Sequence, residues 1–324
     1  MSSTRNAVLL VTHSKDSFTV DRVAEALESR RARVFRLNTD RFPSEVILSG
    51  RFDSGATSFE IEHAGESVRS EEVRAVWLRR LRPPDLSEEL DARFRDVCVS
   101  ESTGALLGFL DSLDGVRWID RIWRIRESES KPHQLQLARR HGLQIPAALI
   151  TNDPARAREF FETHRGAVIT KLIQHPPESL VRSQQFLYTS EVKASDLEDT
   201  DGLRHSPALF QERIPKGRDL RAIFVDGHFF VGGIDPGSSG ELLDWRRGDP
   251  AQCRWTKEEL PDDVARKLNH LMRALELSYG AIDLIRTPDQ RHVFLEVNSG
   301  GEWGMLERDL GHPISSAIAD ALLR

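Results

Sequence analysis

Two apolar runs near the C-terminus, Ala281-Ile-Asp-Leu-Ile285 and Val293-Phe-Leu-Glu-Val-Asn298, are each broken by a carboxylate. Between them Thr287-Pro-Asp-Gln-Arg291 has turn chemistry. A hairpin closed about the middle of that turn sets Asp283 directly opposite Glu296, with Cβ atoms about 5 Å apart. Asn298 follows Glu296 by two residues and shares its face, whereas Leu284, Leu295 and Val297 point to the other. Like charges opposed on a half-buried sheet destabilise it unless something compensates them. A hard divalent cation does so, because Mg²⁺ takes oxygen ligands from one or two carboxylates plus substrate phosphates. The plain alternative is a hairpin whose acids face water. The strongly apolar strand running into Ser299-Gly300-Gly301 argues against it.

Length and charge narrow the class. A chain of 324 residues is too long for one ordinary core, so two or three domains are expected. Its 45 basic against 51 acidic residues, a net charge of −6, lack the basic footprint of a general nucleic-acid binder. No apolar run approaches the ~20 residues of a membrane span. Met1–Asn6 carries no signal core, and Cys98 and Cys253 form neither a CxxC pair nor a disulfide framework. The expectation is a cytoplasmic, multi-domain protein with neither nucleic acid nor membrane as a partner.

The chain opens as α/β. Ala7–Val11 reads as a buried parallel strand, Val20, Val23, Ala24 and Leu27 have helical spacing, and Val34–Leu37 supplies a second strand. No GxGxxG follows the first strand, which argues against a dinucleotide site. Short strands are expected at 45–48, 57–62, 66–68 and 75–78, with a hairpin break at Ala64-Gly65. Residues 88–113 predict a long helix burying Leu90, Phe94, Val97, Cys98, Leu106, Phe109, Leu110 and Leu113. Further on, a helix over 132–141, a strand at 147–150 and a helix from Asp153-Pro154 to His164 are predicted, the last with an N-cap and proline at its first position. A strand at 167–173 precedes a loop around 174–186. The remainder reads as β-rich, at 208–214, 219–225, 228–234, 279–286 and 291–297, with a helix over 262–277.

Other residues carry chemistry. Lys171 interrupts Ala167–Ile173, where it serves either as a snorkelling strand end or as a phosphate-binding point charge on a rigid strand. Lys131, ahead of Pro132, is a weaker signal. Asp219 and Arg221 share a strand face; an acid there can accept from ribose hydroxyls and an arginine can grip phosphate bidentately. Phe230–Gly240 is glycine-dense, followed by Asp244-Trp245-Arg246. Trp77, Arg79 and Arg80 end the strand 75–78, whose carboxyl end is where open α/β sheets bind ligands. Arginine forks there suit substrate carboxylates, against the plain reading of a solvated edge.

Taken in order, Lys131, Lys171, Gln211–Ile214, Asp219-Leu-Arg221, Asp283 and Glu296-Val-Asn298 resemble the ATP-grasp ligases over essentially the whole chain. Val76-Trp-Leu-Arg-Arg80, Lys131-Pro-His-Gln-Leu135, Asp244-Trp-Arg246 and Asn298-Ser-Gly-Gly-Glu-Trp303 look like the microviridin-type peptide maturases, which make graspetide macrocycles. One departure is Asn298-Ser299-Gly300, where that pattern reads Asn-Pro-Asn. The resemblance implies an ATP-grasp fold, α/β and α+β, behind a doubly wound pre-ATP-grasp domain. Its expected parts are an N-terminal domain over 1–120, a central subdomain over 121–205 and a C-terminal subdomain over 206–324 with the metal site. It also implies roles. Lys131 and Lys171 bind ATP phosphates; Gln211, Glu212 and Ile214 form an adenine hinge, largely through backbone groups; and Asp219 holds the ribose. Arg221 and Arg246 face the transferred phosphoryl group, and Asp283, Glu296 and Asn298 hold Mg²⁺. The implied partner is a ribosomal precursor peptide, leader plus acidic core, with a homodimer as a further expectation.

The expected activity is ATP-dependent closure of ω-ester or ω-amide macrocycles from Asp or Glu carboxylates and Thr, Ser or Lys side chains. The nearest rival is a RimK-like or glutathione-synthetase-like ligase acting on a free amino acid. The other is a nucleotide-binding regulator without catalysis, which the intact Asp283, Glu296 and Asn298 set argues against.

Overall fold

A computed structural model describes residues 5–55, 57–174, 189–198, 200–234 and 254–324. Arg246, its neighbours Asp244 and Trp245, most of the glycine-dense loop and most of the 174–186 loop lie outside them. The chain divides into two compact units: Met1–Trp123 with Glu302–Glu307 and His312–Arg324, and Arg124–Gly301 with Arg308–Gly311. No described helix is long and apolar enough to cross a membrane.

In the first unit, β1 (Ala7–Thr12), α1 (Phe18–Ser29) and β2 (Arg33–Asn38) open the chain. An antiparallel sheet of β3 (Val46–Phe52), β4 (Thr57–His63) and β5 (Glu66–Arg69) follows, then β6 (Val73–Leu78), α2 (Ala92–Asp111) and β7 (Arg117–Ile119). The parallel sheet has the order β2-β1-β6-β7. Every residue of β1 is buried, which explains its unbroken apolar run. The strand order reverses between β1 and β6, so their carboxyl ends flank the switch point of a doubly wound sheet. Ala64 (φ 53°) and Gly65 (φ 83°) turn β4 into β5, both in the left-handed region that a two-residue hairpin requires.

Helix α2 corrects an expectation. Asp91 caps it through a bond from the Arg93 amide, so it begins later than residue 88. Only its second half is buried, where Leu106 and Leu110 flank Phe109 and that ring meets Phe59 of β4 at 5.8 Å. Phe94 and Val97 are 54% and 51% exposed. A helix of this length runs about 30 Å, and its core partners lie along the far half.

The second unit begins within α3 (Ile122–Ser128) and continues with α4 (Lys131–Arg140). A four-stranded antiparallel sheet, ordered β10-β9-β11-β8, comprises β8 (Ala148–Thr151), β9 (Val168–Lys171), β10 (Ser190–Glu191) and β11 (Ala208–Glu212). Between β8 and β9 lies α5 (Pro154–Thr163), capped by Asp153 as expected. Ala157, Val168, Val192, Leu197 and Phe210 form the core on one face of that sheet.

The larger sheet is antiparallel, ordered β14-β13-β12-β15-β16. Its strands are β12 (Arg218–Val225), β13 (His228–Ile234), β14 (Thr256–Glu258), β15 (Tyr279–Arg286) and β16 (His292–Asn298), with α6 (Asp262–Ala274) between β14 and β15. Leu220, Ala222, Phe224, Ile282, Leu284, Phe294 and Val297 make one face, packed under Leu137 and Ala138 of α4 and Leu268, Leu271 and Met272 of α6. Asp219, Arg221 and Asp283 occupy the other by period two.

The β15–β16 register holds a second correction. Near the turn Arg286 pairs with His292 and Leu284 with Phe294, but Asp283 pairs with Glu296. Leu295 is the extra residue of a β-bulge, so Phe294 rather than Leu295 faces the core. Without the bulge, the turn register would bring Leu295, not Glu296, opposite Asp283.

Two C-terminal helices complete the chain, α7 (Gly304–Leu310) and α8 (Ile314–Leu323). From sequence the C-terminal subdomain runs to residue 324 without them; the spacing of Ile314, Ile318 and Leu322 is a helical signal passed over in a β-rich stretch. Helix α8 buries those residues in the first unit, where Arg30 donates to Asp320 at 2.7 Å and Arg74 to the Leu323 carbonyl at 2.7 Å.

Ala64 carries a side chain where an L-residue is strained by about 1–2 kcal/mol. Ala64→Asn, with a residue that tolerates this conformation, should therefore raise the melting temperature by a few degrees, measured by calorimetry. An unchanged melting temperature would show that the turn holds no such strain.

Candidate active site

Charge collects on the open face of the larger sheet because β12, β15 and β16 place acids and arginine at matching positions. Arg221 opposes Asp283, and Asp283 opposes Glu296, forming a row across three strands. Arg221 is 6% exposed, and its Nη1 donates to both Asp283 oxygens at 2.7 and 2.9 Å. Asn298 Nδ2 donates to Asp283 Oδ2 at 3.2 Å. Two amines meet Glu296: Lys131 Nζ lies 3.6 Å and Lys171 Nζ 4.0 Å from its Oε2. Lys131 begins α4 and Lys171 ends β9, so three separate elements converge on one carboxylate. Lys131 Nζ also donates to the Leu172 carbonyl at 3.0 Å.

The chain leaving β16 folds tightly over this row. A Cβ on Gly301 would lie 2.3 Å from Ala281 Cβ and 3.1 Å from Arg221 Nη2, so only glycine fits. Tyr279 pins the same residue, its hydroxyl donating to the Gly301 carbonyl at 2.7 Å. At the far end of β12, Lys216 donates to Asp219 at 2.9 Å. The turn carrying Lys216 passes so close to the next strand that a Cβ on Gly217 would meet the Arg286 carbonyl oxygen at 2.8 Å.

On the smaller sheet, Leu209 pairs with Lys171 and Gln211 with Ile169, so Gln211 shares the Lys171 face while Phe210 enters the core. Gln211 is 1% exposed, and its Nε2 has no hydrogen-bond partner among the described residues. A buried donor left unmet costs about 1–3 kcal/mol, which suits a position that a ligand acceptor completes. Glu212 points to the opposite face, where its Oε2 accepts from the Ala147 amide at 3.2 Å; that carboxylate is a strand anchor. Ile214 lies beyond the strand and is half-buried.

Among the described residues, no three His, Cys, Asp or Glu side chains are grouped to hold a metal ion. Asp283, Glu296 and Asn298 instead offer two carboxylates and an amide oxygen. That donor set is all oxygen and sparse, which fits Mg²⁺ and not a soft metal.

In the first unit, the expected substrate residues are placed differently. Trp77 is 1% exposed, so a substrate has no access to its ring; Arg79, 3% exposed, lies 6.0 Å above it. The Arg79 guanidinium is 3.7 Å from Asp16 and donates to Glu302 at 2.7 Å. Arg80 approaches the same two acids at 3.8 and 3.3 Å and retains 31% of its side-chain exposure. Of the three, Arg80 alone reaches the surface. Burial and the adjacent Arg79 charge lower its pKa. Burial alone would raise the Asp16 carboxyl, but Arg79, the Thr12 hydroxyl and Arg80 together outweigh it and hold it below its ordinary value. From sequence no role is assigned to Asp16, and Glu302 enters only within Asn298-Ser-Gly-Gly-Glu-Trp303. Asp16 sits in a polar turn after β1 and does not stand out by pattern, and nothing in the sequence pairs Glu302 with arginines 222 and 223 residues away.

Residues 7–126 match the MvdD pre-ATP grasp domain, and residues 128–322 match the RimK-like ATP-grasp domain. Together with the two antiparallel sheets and their lysines and acids, these matches define an ATP-grasp ligase behind a pre-ATP-grasp domain. The chain belongs to the RimK-like ATP-grasp family, among the peptide maturases that carry the MvdD-type domain. It is 45% identical to macrocyclase MdnB from Microcystis aeruginosa MRC, over 98% of this chain and 99% of that one, with a TM-score of 0.84. It is 34% identical to macrocyclase MdnC of the same organism, solved with precursor peptide MdnA, over 98% and 99% of the chains with a TM-score of 0.88. A RiPP-associated ATP-grasp ligase of Chryseobacterium gregarium, in complex with ADP and a leader and core peptide, is 30% identical over 98% and 96%, with a TM-score of 0.87. No curated protein sequence matches the chain.

Because the Asp16 pKa is depressed on folding, its contribution to stability is present above the ordinary carboxylate value, about 3.9, and is lost as pH falls through the lowered one. Asp16→Asn should lower the melting temperature at pH 7 and flatten its decline below pH 4. Parallel acid limbs for variant and wild type would remove this ion pair from the acid response.

Proposed function

We propose that this ATP-grasp ligase uses ATP and Mg²⁺ to activate Asp or Glu side chains of a ribosomal precursor peptide and closes ω-ester or ω-amide macrocycles with Thr, Ser or Lys side chains. The observation that carries this reading is the convergence of Lys131 and Lys171 on Glu296, beside the Arg221–Asp283–Asn298 group. It is joined by 45% identity to a macrocyclase over 98% of the chain.

A peptide carboxylate oxygen attacks the γ-phosphorus while the bond to the β-phosphate oxygen breaks, giving an acyl phosphate and ADP. A peptide hydroxyl or amine then attacks the acyl carbon, loses its proton and expels phosphate. No protein nucleophile is required; positioning and electrostatics carry the chemistry. Lys131 and Lys171 serve as point charges for phosphate oxygens. Arg221, oriented by the two bonds of its Nη1 to Asp283, faces the phosphoryl group in transit, a role that the family resemblance also gives Arg246. Gln211 and the 212–214 backbone receive the adenine, and Asp219, held by Lys216, the ribose. Mg²⁺ held by Asp283, Glu296 and Asn298 supplies charge neutralisation for the phosphates. Arg80 contacts an acidic core peptide, with Arg79 and Trp77 supporting it from within.

Incubation with ATP, Mg²⁺ and acidic peptides bearing Thr, Ser or Lys should yield ADP and the loss of one water mass per closure. ADP formed only with free amino acids would favour the RimK-like rival, and nucleotide binding without turnover on any acceptor the regulator. Glu296→Gln keeps the shape but removes a charge that offsets the cation, so turnover should collapse with the fold intact. Near-normal ADP formation would remove Glu296 from the metal set. Arg80→Ala should slow ring closure on an acidic peptide while ATP affinity is retained; an unchanged rate and product pattern would return Arg80 to a solvated edge.

A further inference from the structure

Gln134 lies one turn into α4, three residues after Lys131, and is 2% exposed. Its amide makes three hydrogen bonds. Nε2 donates to the Ser128 carbonyl at 2.6 Å and the Val297 carbonyl at 2.8 Å, and Oε1 accepts from the Val297 amide at 2.8 Å. Val297 stands between Glu296 and Asn298, two of the three proposed metal ligands. β16 is the edge of its sheet among the described strands; the Phe294 amide donates outward to the Gln144 carbonyl at 2.8 Å, and three residues further on the outward N–H and C=O of Val297 meet Gln134. A primary amide presents a donor and an acceptor side by side, and here it completes the ladder as one more strand residue would.

The location matters because the ladder on the inner side of β16 is irregular at this point. The Leu295 bulge breaks the β15–β16 register immediately before Glu296, so regular pairing from the turn does not by itself seat residues 296–298. The Gln134 clamp grips the strand just beyond the bulge. Its helix is already anchored by Leu137 and Ala138 in the core, so the amide is not needed to hold α4 down. The same helix turn carries Lys131, tied to the Leu172 carbonyl and 3.6 Å from Glu296. One rigid turn therefore sets both the phosphate-facing amine and the strand with the ligands.

We infer that Gln134 is a positioning residue for the metal site, holding Glu296 and Asn298 in register with Asp283. It touches no reacting atom and acts through the Val297 backbone. The inference rests on the proposed metal set.

Binding of a non-hydrolysable ATP analogue, measured by calorimetry with EDTA and then with Mg²⁺, tests it in wild type, Gln134→Met, Gln134→Asn and Glu296→Gln. Met fills the space without hydrogen bonds, and Asn is too short to reach Val297. Metal-free affinity should stay within about twofold of wild type, while the Mg²⁺-dependent gain falls by about 10–100-fold, the usual effect of losing a group that orients ligands. The Mg²⁺ concentration for half-maximal turnover should rise in step, with the peptide KM unchanged. A folded variant that keeps the full Mg²⁺ gain and loses only melting temperature overturns the inference. Failure of both Gln134 variants to fold also overturns it, by making the residue a general support. If Glu296→Gln itself retains the gain, the metal set is what fails, and the role of Gln134 falls with it.

Discussion

Asp283 and Glu296 face each other across two hydrogen-bonded strands, and the surroundings of the site follow from that repulsion. Each carboxylate is met by cations from a different direction. Arg221 reaches Asp283 along the sheet from β12, and Lys131 and Lys171 reach Glu296 from α4 and β9. The cations are held in place because the acids they meet are fixed to strands. In such a lattice of alternating charge, a phosphate chain with its cation can exchange for internal ion pairs without leaving a buried charge unmet. A site built in this way is preorganised for polyanions.

The supports are as specific as the charges. Gly301 passes where no side chain fits, Tyr279 holds its carbonyl, and Gln134 bonds the outer edge of β16 at Val297. Tyr279 and Gln134 share a trait: their side chains bond to backbone and not to the charged row. The first unit works differently. There Asp16 and Glu302 draw Arg79 inward and leave Arg80 partly in water, so two adjacent arginines have one structural and one surface role.

Much of this was legible in the chain. The alternation of charged and apolar residues in 218–225 and 279–286 marks strands with one wet face. Asp153-Pro154 announces a helix start, and Ala64-Gly65 a tight turn. Asp283 and Glu296 do meet, although by way of a bulge that no residue type advertises: an extra leucine in an apolar strand has no compositional mark. Trp77 and Arg79 look like a charged edge because their burial depends on Asp16 and Glu302, acids remote in sequence. Phe94 and Val97 have the periodicity of a core, but a helix longer than its support leaves them exposed. Gln134 stands out in sequence only as part of Lys131-Pro-His-Gln-Leu135, since its partners are backbone atoms that a sequence does not display.

The packing of α8 with the first unit has a consequence for how the protein is made. β1 to β7 precede residues 124–301 in the chain, yet the helix that packs on α1, β6 and β7 of this unit follows those residues. While residues 124–301 are synthesised, the apolar surface that receives Ile314, Ile318 and Leu322 lacks its cover, the kind of transient exposure that favours aggregation. The unit that opens ahead of the other is completed only after it.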